Sequence, residues 1–267
     1  MKRYLTIALA VSTLALPGLI LCTGCPPPPS DSGTRAAIVD QLAVMDPNQE
    51  FIEQVTAELE ACGFGVDVYS GEEVNVELFR RLPQYGYKLI IFRAHAGLLQ
   101  AEENSEVVGV KQATYLFTAE EYRQTRYVSL QLDDQILPAE MTADFPLVFA
   151  VNSKFVLESM EGRFDDTLII MMGCSCSYLE DMAAAFIFKG ASTYMGWNGS
   201  VSLNYVDRAA ADLITNLCTQ KMTVGEAAAQ TMNGIGPDPE WGAGLKFHPR
   251  ESSGQTIAEL TGTTGGE

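Results

Sequence analysis

Between Thr167 and Met172 the chain runs through Thr-Leu-Ile-Ile-Met-Met without a charge. A strand that is apolar at every position, and not at every second one, has both faces covered, as in a parallel sheet. Ser177 and Glu180 then stand at the spacing of a helix capping box. Leu179, Met182, Ala183, Phe186 and Ile187 follow at the spacing of one buried helical stripe, and Gly190 stands where a helix ends in a left-handed residue. The stretch therefore predicts strand, turn and helix. Its turn, Gly173-Cys174-Ser175-Cys176, lies at the carboxyl end of the strand, where open α/β sheets carry their chemistry. A helix starting directly after it favours a thiolate there.

The same alternation fills the rest of the chain. Ala36–Asp40 and Leu42–Met45 read as a first strand with a polar turn, and a helix starts at Asp46-Pro47-Asn48 and ends at Gly63. Val66–Tyr69 reads as a strand, Val74–Leu82 as a helix stopped by Pro83, and Tyr87–Phe92 as a third strand followed by Arg93-Ala94-His95-Ala96-Gly97. Beyond the organising stretch come a strand at Ala191–Met195, a helix marked by Val206, Ala210, Leu213 and Leu217, another at Thr223–Met232, and an edge strand at Leu245–His248. Strands alternating with helices predict an α/β, three-layer sandwich with a mostly parallel, doubly wound sheet. Residues 98–166 depart from this. Short strand-like runs at Val107–Val110, Thr114–Phe117, Tyr127–Leu132 and Pro146–Val151 predict a β-rich insertion between the third and fourth main strands. It lies over the carboxyl edge of the sheet, with Glu120, Glu121, Arg123 and Arg126 either lining a wall or simply solvated.

The first residues read as a targeting segment. Lys2 and Arg3 precede an apolar stretch from Leu5 to Leu21, broken by Pro17 and too short to span a bilayer. The run Leu21-Cys22-Thr23-Gly24-Cys25 resembles the end of a lipoprotein signal peptide, with Cys25 as the lipidated residue because the small Gly24 precedes it. Pro26–Pro29 and the following Ser-Asp-Ser-Gly form a spacer. The expected division is a signal peptide at 1–24, a linker at 25–34, one α/β domain at 35–250 and a flexible tail at 251–267. The resulting expectation is an exported, membrane-anchored lipoprotein facing the extracytoplasmic side. A formal net charge of −17 argues against nucleic acid as a partner. Cys62 and Cys218 fall on apolar helical stripes and read as small core residues, with no disulfide framework. With only two histidines and no CxxC pair, no metal and no cofactor is expected.

His95 ends the third main strand and Cys174 the fourth. In a parallel sheet all carboxyl ends share one rim, and neighbouring strands lie about 5 Å apart. An imidazole and a thiol brought together there form a base and a nucleophile for acyl transfer. Backbone N–H groups at Gly97 and Cys174 would receive an oxyanion. Cys176 is the alternative nucleophile.

Leu89-Ile-Ile-Phe-Arg-Ala-His95-Ala-Gly97 and Leu168-Ile-Ile-Met-Met-Gly-Cys174, then Ala184-Ala-Phe186, Lys189-Gly190-Ala191 and Tyr194-Met-Gly196-Trp197, resemble the caspase-like cysteine peptidases. That group includes caspases, gingipains, clostripain and CHAT domains. The resemblance covers roughly residues 36–230. It implies that His95 is the general base, that Cys174 is the nucleophile and that a peptide or protein is the substrate. It also implies an oxyanion hole near Ala96 and Gly97. The family's His-Gly is His95-Ala96 here, with Gly97 one place later. A caspase-like domain without catalysis, binding or scaffolding at the surface, is the alternative. A Rossmann-like ligand binder ranks below both, because no Gly-rich phosphate loop follows the first strand.

Overall fold

The computed structural model describes residues 34–99 and 112–261. The expected signal peptide, Cys25, most of the linker and the strand expected at Val107–Val110 lie outside the described residues. The described residues form ten strands and eight α-helices. They are β1 (Arg35–Asp40), α1 (Gln49–Ala61), β2 (Gly65–Ser70), α2 (Val76–Arg81), β3 (Leu89–Arg93), β4 (Ala96–Leu98) and β5 (Thr114–Glu121). Then come α3 (Val128–Leu132), β6 (Ile136–Ala139), β7 (Val148–Asn152), α4 (Ser153–Glu158), β8 (Thr167–Met171) and α5 (Asp181–Phe188). The chain finishes with β9 (Ala191–Trp197), α6 (Leu203–Cys218), α7 (Val224–Gly234), β10 (Leu245–His248) and α8 (Ile257–Thr261).

The main sheet has six strands in the order β10-β9-β8-β3-β1-β2, and only β10 runs antiparallel to its neighbour. β3 and β8 are buried at every position, as their uninterrupted apolar sequences require. Alternate residues feed two cores. Ile38, Ile91, Ile170 and Met195 pack with α1, α6, α7 and α8 on one face. Val39, Phe92, Ile169 and Tyr194 pack with α2, α4 and α5 on the other. The architecture is α/β with helices on both faces of a mostly parallel sheet.

A second, four-stranded antiparallel sheet, β4-β5-β7-β6, forms between β3 and β8 in the chain. The insertion is thus β-rich as expected, with one local difference. Tyr127–Leu132 is a helical turn and not a strand. Tyr127 takes a left-handed backbone (φ 53°), and the Leu130 and Gln131 N–H groups donate back to its carbonyl. Leu132, at the end of that turn, is 82% exposed. Outside the insertion, Leu42–Met45 does not extend β1 but coils into a 3-10 turn, with Met45 N donating to Leu42 O. The region expected as a flexible tail is also ordered as far as Thr261: Ile257 and Leu260 of α8 are buried in the α6/α7 core.

The carboxyl end of the sheet is tied together by charge. Arg93, fully buried, donates from Nε and Nη2 to the two carboxylate oxygens of Asp207 on α6, both at 2.8 Å. Its Nη1 donates to Asp40 at the end of β1 (2.9 Å) and to the Asp46 carbonyl (3.0 Å). Asn48, which caps α1 by accepting from Phe51 N, also donates to Asp207. Burial opposes the Arg93 charge, but its ion pairs outweigh burial and raise its pKa. Arg93→Met strands two buried carboxylates and should lower unfolding free energy by about 3–5 kcal/mol. Arg93→Lys should recover only part of this, since an ammonium cannot grip Asp207 with two parallel bonds. Urea unfolding measures both, and a loss below about 1 kcal/mol for Arg93→Met would refute the ionic anchor.

Candidate functional site

Phe92 of β3 and Met171 of β8 are register partners. Three residues beyond each stand His95 and Cys174, so both leave the paired part of the sheet at the same level. Ala94 and Ala96 pack into the α2/α4/α5 core, which turns His95 toward the opposite face. Cys174 packs against the α1/α6 core, on that same opposite face. The two strand ends also touch. A Cβ added to Gly173 would lie 2.6 Å from Ala96 Cβ and 2.7 Å from the Ala94 carbonyl. Only glycine permits that approach, which accounts for the residue before Cys174.

Imidazole and sulfur are directed at other partners. His95 Nε2 lies 3.1 Å from Met45 Sδ, and its ring sits 6.0 Å from that of Phe117. A thioether only accepts, so this contact assigns the proton to Nε2 and leaves Nδ1 as the basic nitrogen. Cys174 Sγ accepts from Val201 N at 3.4 Å and faces Val201 O at 3.7 Å. Among the described residues no hydrogen bond joins His95 to Cys174.

The turn holding Cys174 differs from expectation. α5 starts at Asp181, not at Ser177, and the capping box is not formed: Ser177 Oγ is buried without a partner. Residues 174–178 are instead a turn fixed to β9 and the loop after it, through Ser175 N to Gly199 O (2.8 Å) and Ser177 N to Trp197 O (2.9 Å). Ser175 carries the strain of a left-handed backbone, φ 56°. The helix dipole, which acts within a turn of the helix end, does not reach Cys174. Cys176 is 1% exposed, and burial, reinforced by Cys174 beside it, pushes its thiol up to about 12. It packs in the α2/α4/α5 core and is not available as the alternative nucleophile.

The expected oxyanion donors separate. His95 O accepts from Phe117 N and Leu99 N donates to Ala113 O, so the bonded pairs of the β4–β5 ladder fall at alternate residues, including Gly97 with Tyr115. The Gly97 N–H is therefore spent in that ladder. Ala96 N points out of it, toward Gly173.

Two further residues set the geometry, and the sequence reading missed both. Gln41, fully buried after β1, accepts from His95 N at 2.9 Å and donates to Met141 Sδ at 2.8 Å. Met45 in the same turn meets the imidazole. A glutamine and a methionine in a presumed strand–turn segment carry no signal for this role. Met141 opens onto a cavity of about 840 Å³ between the turns after β1 and β2 and the second sheet. Glu120, Glu121, Arg123 and Arg126 all line it, with Arg126 paired to Glu120 at 2.9 Å. Asp165 and Asp166 precede β8 at the far, amino edge of the sheet; Asp165 binds Lys88 there. Asp181 accepts from the Thr114 hydroxyl and N–H and joins α5 to β5. Among the described residues no three His, Cys, Asp or Glu side chains converge as metal ligands would.

Comparison with protein-family models finds no match, and comparison with curated proteins finds no related sequence.

Burial lowers the His95 pKa below 6.5. The imidazole is neutral at neutral pH, as a base must be. Protons then bind the unfolded chain more readily than the folded one. The stability this neutral group brings is complete above pH 6.5 and is lost as pH falls from 6.5 toward the lower folded value. His95→Gln should flatten that part of the stability–pH curve, and an NMR titration should place His95 below 6.5. A midpoint at or above 6.5 would contradict its burial.

Proposed function

We propose that the chain is a caspase-like cysteine peptidase that uses a His95–Cys174 dyad on a membrane-tethered, extracytoplasmic domain. One observation carries the reading: an imidazole and a thiol leave adjacent parallel strands at the same level and on the same face. The alternating sheet, the Gly173 contact and the β-rich wall support it.

In this reading His95 takes the Cys174 proton. The thiolate attacks the scissile carbonyl carbon, and the oxyanion gathers the N–H groups of Ala96 and Cys174. Collapse breaks the C–N bond, and the imidazolium returns its proton to the leaving amine. Water, deprotonated by His95, then cleaves the thioester and restores the thiol. Cys174→Ala should abolish cleavage of a peptide library, by on the order of 10⁴-fold or more, with Cys176→Ala retaining activity. Iodoacetamide should modify Cys174 in the folded protein, and more slowly in His95→Ala.

One observation favours a second reading, a caspase-like binding or scaffolding domain without catalysis. His95 and Cys174 are each engaged elsewhere, by Met45 and Val201. No cleavage of the library under any condition would select it over the peptidase.

The tether rests on Gly24-Cys25 after the apolar stretch. No helix among the described residues is long and apolar enough to cross a membrane. Cys25→Ser should abolish incorporation of labelled palmitate into the full chain and release it from membranes. Retained labelling would move the anchor to another residue.

A further inference from the structure

Two other cysteines meet at the opposite edge of the sheet. Cys62 caps the carboxyl end of α1, and Cys218 is the last residue of α6. The sequence reading placed them as separate core residues, but α1 and α6 pack side by side on one sheet face. Glu58, one turn before Cys62, accepts hydrogen bonds from Thr215 and Thr219, which flank Cys218. These bonds set the two helix ends in register, with both cysteines on the shared seam. Burial raises the pKa of each thiol, and contact between the two lowers that of Cys62 and further raises that of Cys218. Both line a cavity of about 400 Å³ walled also by Lys221, Thr256 and Ile257. Cys62 is half-buried and Cys218 only 4% exposed, so the cavity reaches Cys62 first.

We propose that Cys62 and Cys218 form a disulfide that clamps α1 to α6 at the amino edge of the sheet. The oxidant is a disulfide-bearing molecule, of low molecular weight or a protein. Cys62 loses its proton and attacks one sulfur of that disulfide, expelling the first thiolate. Cys218 then loses its proton and attacks the Cys62 sulfur, expelling the second. One S–S bond forms in the protein as one is cleaved in the oxidant, which takes up both electrons and both protons. The closed loop runs from β2 to α6 and so contains His95 and Cys174. Linking its ends restricts the unfolded chain, and long loops are restricted most. Cys174, at the other edge, stays reduced. The clamp is independent of the peptidase reading.

The test uses the full chain and oxidised glutathione. After incubation the protein is unfolded in urea with iodoacetamide, digested without reductant and mapped by mass. The expected product is a peptide pair joined through Cys62 and Cys218, with Cys174 alkylated. The oxidised protein should melt roughly 5–10 °C above the reduced one, and Cys62→Ala should show no such gain. Comparison of the oxidised and reduced natural chain does not depend on any variant folding. Glutathione left attached to Cys62, a bond from either cysteine to Cys174, or two intact thiols with unchanged melting would each overturn the proposal.

Discussion

A guanidinium with no exposure to solvent holds the carboxyl rim of this sheet together. Removing a cation from water is costly, and Arg93 is retained there only because every direction it points has an oxygen. Asp207 takes two parallel bonds, Asp40 a third, and the Asp46 carbonyl a fourth. These partners belong to β1, the turn after it and α6, which apolar packing alone would leave free to slide. Asp40 carries part of the cost: burial raises its pKa, with Arg93 pulling it back. The cluster lies two residues before His95, so the backbone that carries the imidazole begins from an ionic knot. Gln41 extends the same anchoring by accepting from His95 N.

The rim is then closed by sterics. Gly173 lets the β8 end press against Ala94 and Ala96, and the same contact leaves Ala96 N facing the turn that carries Cys174. β4 begins at once and diverts the chain into the second sheet, so the insertion becomes a wall beside the rim. Its charged residues are largely paired within that wall, Arg126 with Glu120 and Arg123 with Glu121. The cavity they line therefore offers a mixed lining with little net charge.

What the sequence made legible follows from range. β3 and β8 could be read because burial on both faces leaves an unbroken apolar run. Gly63 and Gly190 could be read because their backbones are left-handed, at φ 90° and 105°. The capping box at Ser177 could not be trusted, because Ser177 N is drawn to Trp197 O, a bond formed only once β9 is in place. Arg93 could be seen in the sequence, but its partner Asp207 lies 114 residues away. Cys62 and Cys218 were equally invisible as a pair, since their register depends on Glu58 reaching across to α6. Local rules found the elements, while the polar contacts between distant elements decided the rim.

Those contacts also distribute mobility within the candidate site. The turn around Cys174 is pinned on three sides: Ser175 N to Gly199, Ser177 N to Trp197, and Tyr194 OH to the Cys176 carbonyl. Cys174 Sγ is further held by Val201 N. Among the described residues the imidazole has a weak sulfur acceptor at Nε2 and a tilted aromatic neighbour. Its backbone is fixed by Gln41, and its ring is held by Met45 and Phe117. A rotation of His95 would give up its Met45 contact, whereas the Cys174 sulfur is held by Val201 N. The contact given up, an N–H to a thioether, is weaker than a bond to an oxygen acceptor. Met45 adjoins a 3-10 turn that is joined through Gln41 to the cavity wall at Met141.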